Sequence, residues 1–289
     1  MPKQPLGEVF GFAVSNTESR ASRYRKDKLC PYNNIVSSCT KNSIENPLGV
    51  CSILHNEDPV IVCPVRFRED WTIVSDAAEF LLNQENSWTN LGEVSLKDKH
   101  GKSAGRIDYV LVSYDDKGRV IDFGSLEVQS VYISGNLSGP FEAYLESPSP
   151  AFTWEKALKY PKPDYLSSSR KRLIPQIIAK GSILKQWNKK QAVAMQTSFY
   201  ETLPKMKEVE RNVADFAFFL YDLKFDELSK AYHLRKQNVV YTQFSSVLKK
   251  IAKFDAGPIE NFTKILQKKL DKKRSGNIES VDLESLVVE

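Results

Sequence analysis

Two runs of β-branched and aromatic residues, "RIDYVLVSY" (106–114) and "RVIDFGSLEVQSVYI" (119–133), flank the turn "DDKG" (115–118). This pattern predicts an antiparallel hairpin closed by Gly118. Side chains two apart on a strand point the same way, so Glu127 and Gln129 share a face. The hairpin can bring Asp108 beside them from the adjacent strand. Two carboxylates where two apolar strands meet are costly unless something cationic joins them. Whatever fold buries this hairpin must therefore bring positive charge to it.

The remaining chain mixes helices and strands. "SDAAEFLLNQEN" (75–86) predicts a helix capped by Ser75 or Asp76. "PAFTWEKALKY" (150–160) predicts a short helix, and 163–187 predicts helical segments kinked or broken at Pro175. The apolar, aromatic runs 191–203 and 213–226 suit central strands. Residues 242–254 and 258–273 predict amphipathic helices, and the last fifteen residues form an acidic tail. The expected fold class is α/β, with a mixed sheet flanked by helices. Residues 1–70 are loop-rich and are expected to form a small subdomain, with 71–289 as the main domain.

The four cysteines, Cys30, Cys39, Cys51 and Cys63, crowd into that first segment, and the 226 residues after Cys63 hold none. No long apolar run suggests a signal peptide or a membrane span, so a cytosolic location is the default. Such a location argues against disulfides. Four thiolates are instead the complete ligand set of a tetrahedral zinc or iron ion, with no position open for a substrate. The spacing is loose, with 8, 11 and 11 residues between successive cysteines. Pro, Asn and Gly beside the thiols, as in "LCPYNN", build turns that aim backbone amides at sulfur. A segment this short gains from a metal staple.

The net charge is +5. The basic residues cluster at 20–28, 167–172, 185–190 and 268–274, which suits a polyanionic partner such as DNA. Each run could also be a solvated face. Arg20, Arg23 and Arg25 near the cysteines, and Arg170, Lys171 and Arg172, are candidate DNA contacts. Only three histidines are present, and no local pattern pairs one with a nucleophile.

Asp108 and Glu127 can bind Mg²⁺, joined by the Val128 carbonyl and by Glu93 from "LGEVSL". That constellation suits phosphodiester hydrolysis. A third side chain, often Lys, positions the attacking water in such sites. Gln129 fills its slot and can orient water but cannot take its proton. The spacing alone is unspecific, since many hairpins carry Asp and Glu facing solvent.

In order, "GEVFGF", "RKDKLCPYNNIVSSCTKNSIENPLGVCS", "VCPVRFRED", "GRIDYVLV" and "LEVQ" resemble the NotI-type restriction endonucleases, whose relatives include the EagI-like enzymes. The likeness is strongest over residues 7–135. It implies a type II restriction endonuclease with a PD-(D/E)xK core, paired in bacteria with a cognate DNA methyltransferase. It implies a homodimer that uses Mg²⁺ to cut both strands of a GC-rich palindrome, leaving 5′ overhangs. It implies a structural iron on Cys30, Cys39, Cys51 and Cys63, and active-site roles for Glu93, Asp108, Glu127 and Gln129. Glu79 is the alternative to Glu93. Gln129 and Ile107 stand where the general motif has Lys and Pro. The chain is shorter than the best-known member, which leaves open a six-base site centred on GGCC or an eight-base one. Two other readings are a DNA-binding protein with an inactive nuclease core and an electron-transfer protein built on a four-cysteine iron.

Overall fold

The computed structural model describes residues 4–83, 85–149, 151–154, 159–253 and 256–274. The chain divides into two compact units, Met1–Ile251 and Ala252–Glu289. In chain order the first unit contains β1 (Leu6–Val9), β2 (Phe12–Ala13), α1 (Ser19–Lys26), β3 (Val50–His55) and β4 (Asp58–Ile61). A 3₁₀ helix, Pro64–Trp71, leads into α2 (Thr72–Leu81). Then come β5 (Ser87–Lys97), β6 (Ser103–Tyr114), β7 (Val120–Gln129), β8 (Tyr132–Ser134), α3 (Ser138–Glu146) and β9 (Lys162–Asp164). Next are α4 (Tyr165–Ser167), a π-helical turn (Ser168–Leu173), α5 (Ile174–Gln186), β10 (Gln191–Gln196) and α6 (Thr197–Tyr200). β11 (Phe216–Asp226), β12 (Ala231–Thr242) and α7 (Phe244–Ile251) complete the unit. The second unit's described helix is α8 (Ile259–Arg274), whose Phe262, Ile265 and Leu270 are exposed.

A six-stranded mixed sheet runs in the order β12-β11-β10-β7-β6-β5. β10 lies parallel to both β7 and β11, and the outer pairs are antiparallel. β10 is buried along its whole length, as a central parallel strand covered on both faces should be. One face, with Ala194, Ala217 and Phe219, packs on Ile73, Val74, Ala77 and Leu81 of α2. The other, with Val193, Met195 and Phe218, packs on Ile177 of α5 and on Phe244 and Val247 of α7. Each such large side chain contributes roughly 1.5–3 kcal/mol by leaving water. That second cluster continues into Leu6, Val9, Val50 and Ile53 of a four-stranded antiparallel sheet, β2-β1-β3-β4.

A buried ion pair joins the two sheets. The Arg66 Nε of the 3₁₀ helix donates to both oxygens of Glu8 on β1, at 2.9 and 3.1 Å. Its Nη1 donates to Glu69 (2.6 Å) and its Nη2 to the Tyr232 carbonyl of β12 (2.8 Å). Ser52 of β3 donates to Glu8 at 2.9 Å, and the Tyr32 ring centroid lies 4.2 Å from the guanidinium. Neither charged side chain is solvent-exposed.

The hairpin and the two central strands form as expected, with several shifts. β7 ends at Gln129, and the chain re-enters as β8. The run 191–203 is strand only to Gln196, after which α6 begins. Helix α2 starts at Thr72, because Trp71 takes a left-handed φ of 57° there. Asp76 is therefore no cap, and it instead accepts from Tyr221 (2.8 Å) and Lys236 (2.6 Å). Pro175 does not break the helical run. It sits in the first turn of α5, where its missing N–H is harmless, just after the π-helical turn. Edge strands β5 and β12 had no expectation attached. Of the helix expected over 150–160, residues 150 and 155–158 lie outside the described residues, and the described remainder is not helical. The acidic tail, 275–289, also lies outside them. Residue 70, where a boundary was expected, lies inside the first compact unit, at a kink of the 3₁₀ helix where Asp70 has φ 51°.

Replacing Arg66 by Met leaves Glu8 buried without its counter-charge. Urea denaturation should show a loss of about 3–5 kcal/mol, and Glu8→Gln on top should return part of it. A loss well under 1 kcal/mol would show that the pair does not hold the sheets together.

Candidate active site

The β6–β7 register pairs Tyr109 with Leu126, which sets Asp108 next to Glu127 across the hairpin. The parallel pairing of Glu127 with Val193 puts Glu127 on the sheet face that α5 covers. Asp108 Oδ2 accepts from the Val128 N–H at 2.8 Å. Glu127 Oε2 accepts from Lys180 Nζ at 2.8 Å. Glu127 Oε1 is buried and has no hydrogen-bond partner. Burial raises the pKa of both carboxyls. Glu127 is pushed to about 8, first by burial and then by the charge of Asp108, with Lys180 opposing. The two groups thus form a proton-sharing pair that a cation can take over.

Gln129 is buried on the same face, and its Nε2 donates to the Ser130 carbonyl at 2.7 Å. Its Oε1 is left as the atom that can accept from water. Glu93 stands on β5 between Gly92 and Val94, which pair with Tyr109 and Ile107, so it lies opposite Asp108. It takes a positive φ of 56°, is exposed, and meets Arg106 at 3.4 Å. Its charge contributes to the raised pKa of Asp108. Glu79, the alternative, lies on α2, which packs on the opposite face of the sheet.

A groove of about 560 Å³ opens beside the pair, lined by Asp108, Val128, Gln129, Tyr132, Arg172 and Gln176 among others. The Arg172 guanidinium lies 4.8 Å from the Tyr132 ring centroid at this groove. Arg170 and Lys171 are exposed on the same π-helical turn. Arg20 and Arg23 are exposed on α1, beside the Tyr24 ring. Arg25 is different. It is buried and donates to the carbonyls of Ala13 and Asn16, both at 2.7 Å, so it holds a loop and does not reach for phosphate.

Sequence reading missed Lys180, which reaches Glu127 from 53 residues away, and nothing local announced it. It also missed a histidine contact. His233 meets Glu69 through Nδ1 (2.9 Å) and Ser229 through Nε2 (3.1 Å). Ser229 donates to Asp226 at 2.6 Å, so its hydroxyl proton points at a carboxylate and not at the imidazole.

The four cysteines line one cavity of about 190 Å³, together with Tyr32, Lys41 and Arg66. Cys51 lies on β3, and Cys63 follows β4. Cys30 and Cys39 flank a bridge between Leu29 and Ser38. The amides of Tyr32 and Asn33 near Cys30, and that of Lys41 near Cys39, favour the thiolate. Burial nonetheless pushes the Cys30 thiol up to about 11, and the neighbouring Cys63 and Cys39 add to this. Lys41 is buried beside the thiols and donates to the carbonyls of Val50 (2.8 Å) and Val62 (3.1 Å). Among the described residues no three His, Cys, Asp or Glu side chains stand ready-placed around a metal ion. What the four share is one cavity and a donor chemistry, thiol sulfur, of the kind that zinc and iron take.

A large mixed sheet flanked by helices, with paired carboxylates on adjoining strands beside a groove, is compatible with a nuclease core. The restriction endonuclease NotI family matches residues 8–234, and the chain belongs to that family. Membership implies a site-specific deoxyribonuclease that binds double-stranded DNA. Among curated proteins none matches the chain. No helix among the described residues is long and apolar enough to cross a membrane.

Burial and the charge of Asp108 push Glu127 up to about 8, so a divalent cation bound there would displace a proton at neutral pH. Mg²⁺ binding should tighten from pH 6 to 9. Calorimetry in buffers of different ionisation enthalpy should show release of about one proton per site at pH 7. Binding that ignores pH over this range would contradict the assignment.

Proposed function

We propose that this protein is a type II restriction endonuclease with a PD-(D/E)xK core. On this reading it cuts both strands of a GC-rich palindrome containing GGCC by Mg²⁺-dependent hydrolysis and leaves 5′ overhangs. The observation that carries the catalytic part is the buried Asp108–Glu127 pair, in which no N–H or hydroxyl of the described residues reaches Glu127 Oε1. An oxygen left this way costs stability unless a cation meets it. The palindrome and the overhang rest on the likeness to the NotI-type enzymes. Such a chain would act as a homodimer in a bacterial cytoplasm, because a two-fold site is read by a two-fold protein, and a cognate DNA methyltransferase would protect the host.

Asp108, Glu127 and the Val128 carbonyl would hold Mg²⁺. Bound there, the ion would offset phosphate charge and make a nearby water more acidic. Val128 N–H fixes one Asp108 oxygen, which orients the other. Gln129 Oε1 orients the attacking water by accepting from it. Glu93, opposite Asp108, assists from the rim. Arg172 at the groove meets the DNA backbone, while Arg20, Arg23, Arg170 and Lys171 track it further out. The cysteine cavity would hold one structural iron, with zinc as the alternative, keeping the 28–63 segment in shape.

Incubation with phage DNA, followed by sequencing of fragment ends, tests the activity. Discrete fragments with uniform ends are expected, lost in EDTA and reduced about 10³-fold or more in Glu127→Ala and Asp108→Ala. Intact DNA that is retarded on a gel would favour a binding protein with an inactive core. Elemental analysis should find about one iron or zinc per chain. Cys51→Ser should lose that metal and unfold at lower temperature. A fully folded protein carrying no metal would remove the four-cysteine assignment.

A further inference from the structure

Three side chains of one helical run point at the acidic hairpin. Arg172 and Gln176 line the groove, and Lys180 reaches Glu127. They recur every four residues, which stacks them on one stripe of the π-helical turn and α5. Lys180 is nearly inaccessible, with its side chain 5% exposed. Its Nζ donates to Glu127 Oε2 (2.8 Å), to the Arg106 carbonyl (2.5 Å) and to Gln176 Oε1 (3.3 Å). All three ammonium hydrogens are therefore engaged. Gly105 makes room for this. It has φ +108°, and a Cβ there would sit 3.2 Å from Lys180 Cε.

We propose that Lys180 is a positioning residue of the cleavage site, supplying from a helix the cation that the strand motif lacks at Gln129. Its ammonium holds Oε2 of Glu127 and so turns the carboxyl with Oε1 free for a metal ion. This rests on the endonuclease reading above. The face around it is small and fully named. β7 contributes Glu127, and β6 contributes Asp108 and the Arg106 carbonyl. α5 itself contributes Gln176, and α7 meets α5 through Phe244 at Gly181. Glu93 and the Arg106 guanidinium pair at the exposed rim. Among these groups Lys180 is the one buried cation facing Glu127. Gln129, a neutral amide already spent on the Ser130 carbonyl, cannot take that part.

The test compares Lys180→Met, Lys180→Arg and the double variant Lys180→Met/Gln129→Lys. Three readouts are needed: single-turnover cleavage, DNA affinity in EDTA, and the Mg²⁺ concentration giving half the maximal rate. Lys180→Met should slow cleavage about 10²-fold at pH 7.5 and change DNA affinity less than about threefold. Its half-saturating Mg²⁺ concentration should rise about tenfold, because the carboxyl is no longer held in place for the ion. Lys180→Arg, and Lys placed at 129 in the double variant, should each restore about tenfold of the loss. A Lys180→Met enzyme with wild-type Mg²⁺ dependence overturns the proposal, whatever its rate. Should Lys180→Met not fold, Lys180→Gln keeps a hydrogen bond without the charge and serves the same comparison. If the wild-type protein leaves DNA intact, the endonuclease reading itself falls. Unchanged Mg²⁺ dependence in a Lys180→Met protein that does cut overturns the role of Lys180 alone.

Discussion

Arg66 and Glu8 meet with neither side chain exposed to solvent, and the arrangement of the first unit turns on that contact. Isolated buried charges are expensive, so both partners must be delivered together or the core fails to close. Delivery requires β1 beside β3, the 3₁₀ helix folded back, and the Tyr232 carbonyl of β12 in reach. The guanidinium also lies against Tyr32 and lines the cysteine cavity. The same side chain thus links the cysteine loops to the far edge of the large sheet. Mispacked alternatives would strand one of the charges, so the pair selects one arrangement over its rivals.

The carboxylate pair shows the same logic one layer further in. Burial raises the proton affinity of both carboxyls, and the charge of Asp108 raises that of Glu127 further, while the contact with Glu127 lowers that of Asp108. Such a pair stores a preference for a cation that the fold does not itself satisfy. Only one of the four carboxyl oxygens receives a backbone N–H and one an ammonium, and Glu127 Oε1 has no partner.

The hairpin was readable because its signal is local. β-branched alternation, the DDKG turn and a two-residue offset place Asp108, Glu127 and Gln129 within a short stretch of chain. The cysteine window was readable for a similar reason, since four rare residues in 34 positions stand out. What escaped depends on long separations or weak local patterning. β5 and β12 are edge strands with mostly polar, exposed residues, so no apolar alternation marks them. Lys180 looks like any helical lysine until the sheet register brings Glu127 beneath it. Arg25 sits in a basic run that reads as surface, yet it is spent on two backbone carbonyls. The start of α2 is set by left-handed backbone at Trp71, which no capping residue announces.

The stripe on α5 has a mechanical side. Ile177 and Gly181 bed the helix on the sheet and on Phe244, so it behaves as a stiff bar. One end carries Arg172 into the groove, and the other carries Lys180 to Glu127. Between them Gln176 both lines the groove and accepts from Lys180 Nζ at 3.3 Å. Groove wall and acidic pair are thus two ends of one hydrogen-bonded chain, Gln176 to Lys180 to Glu127.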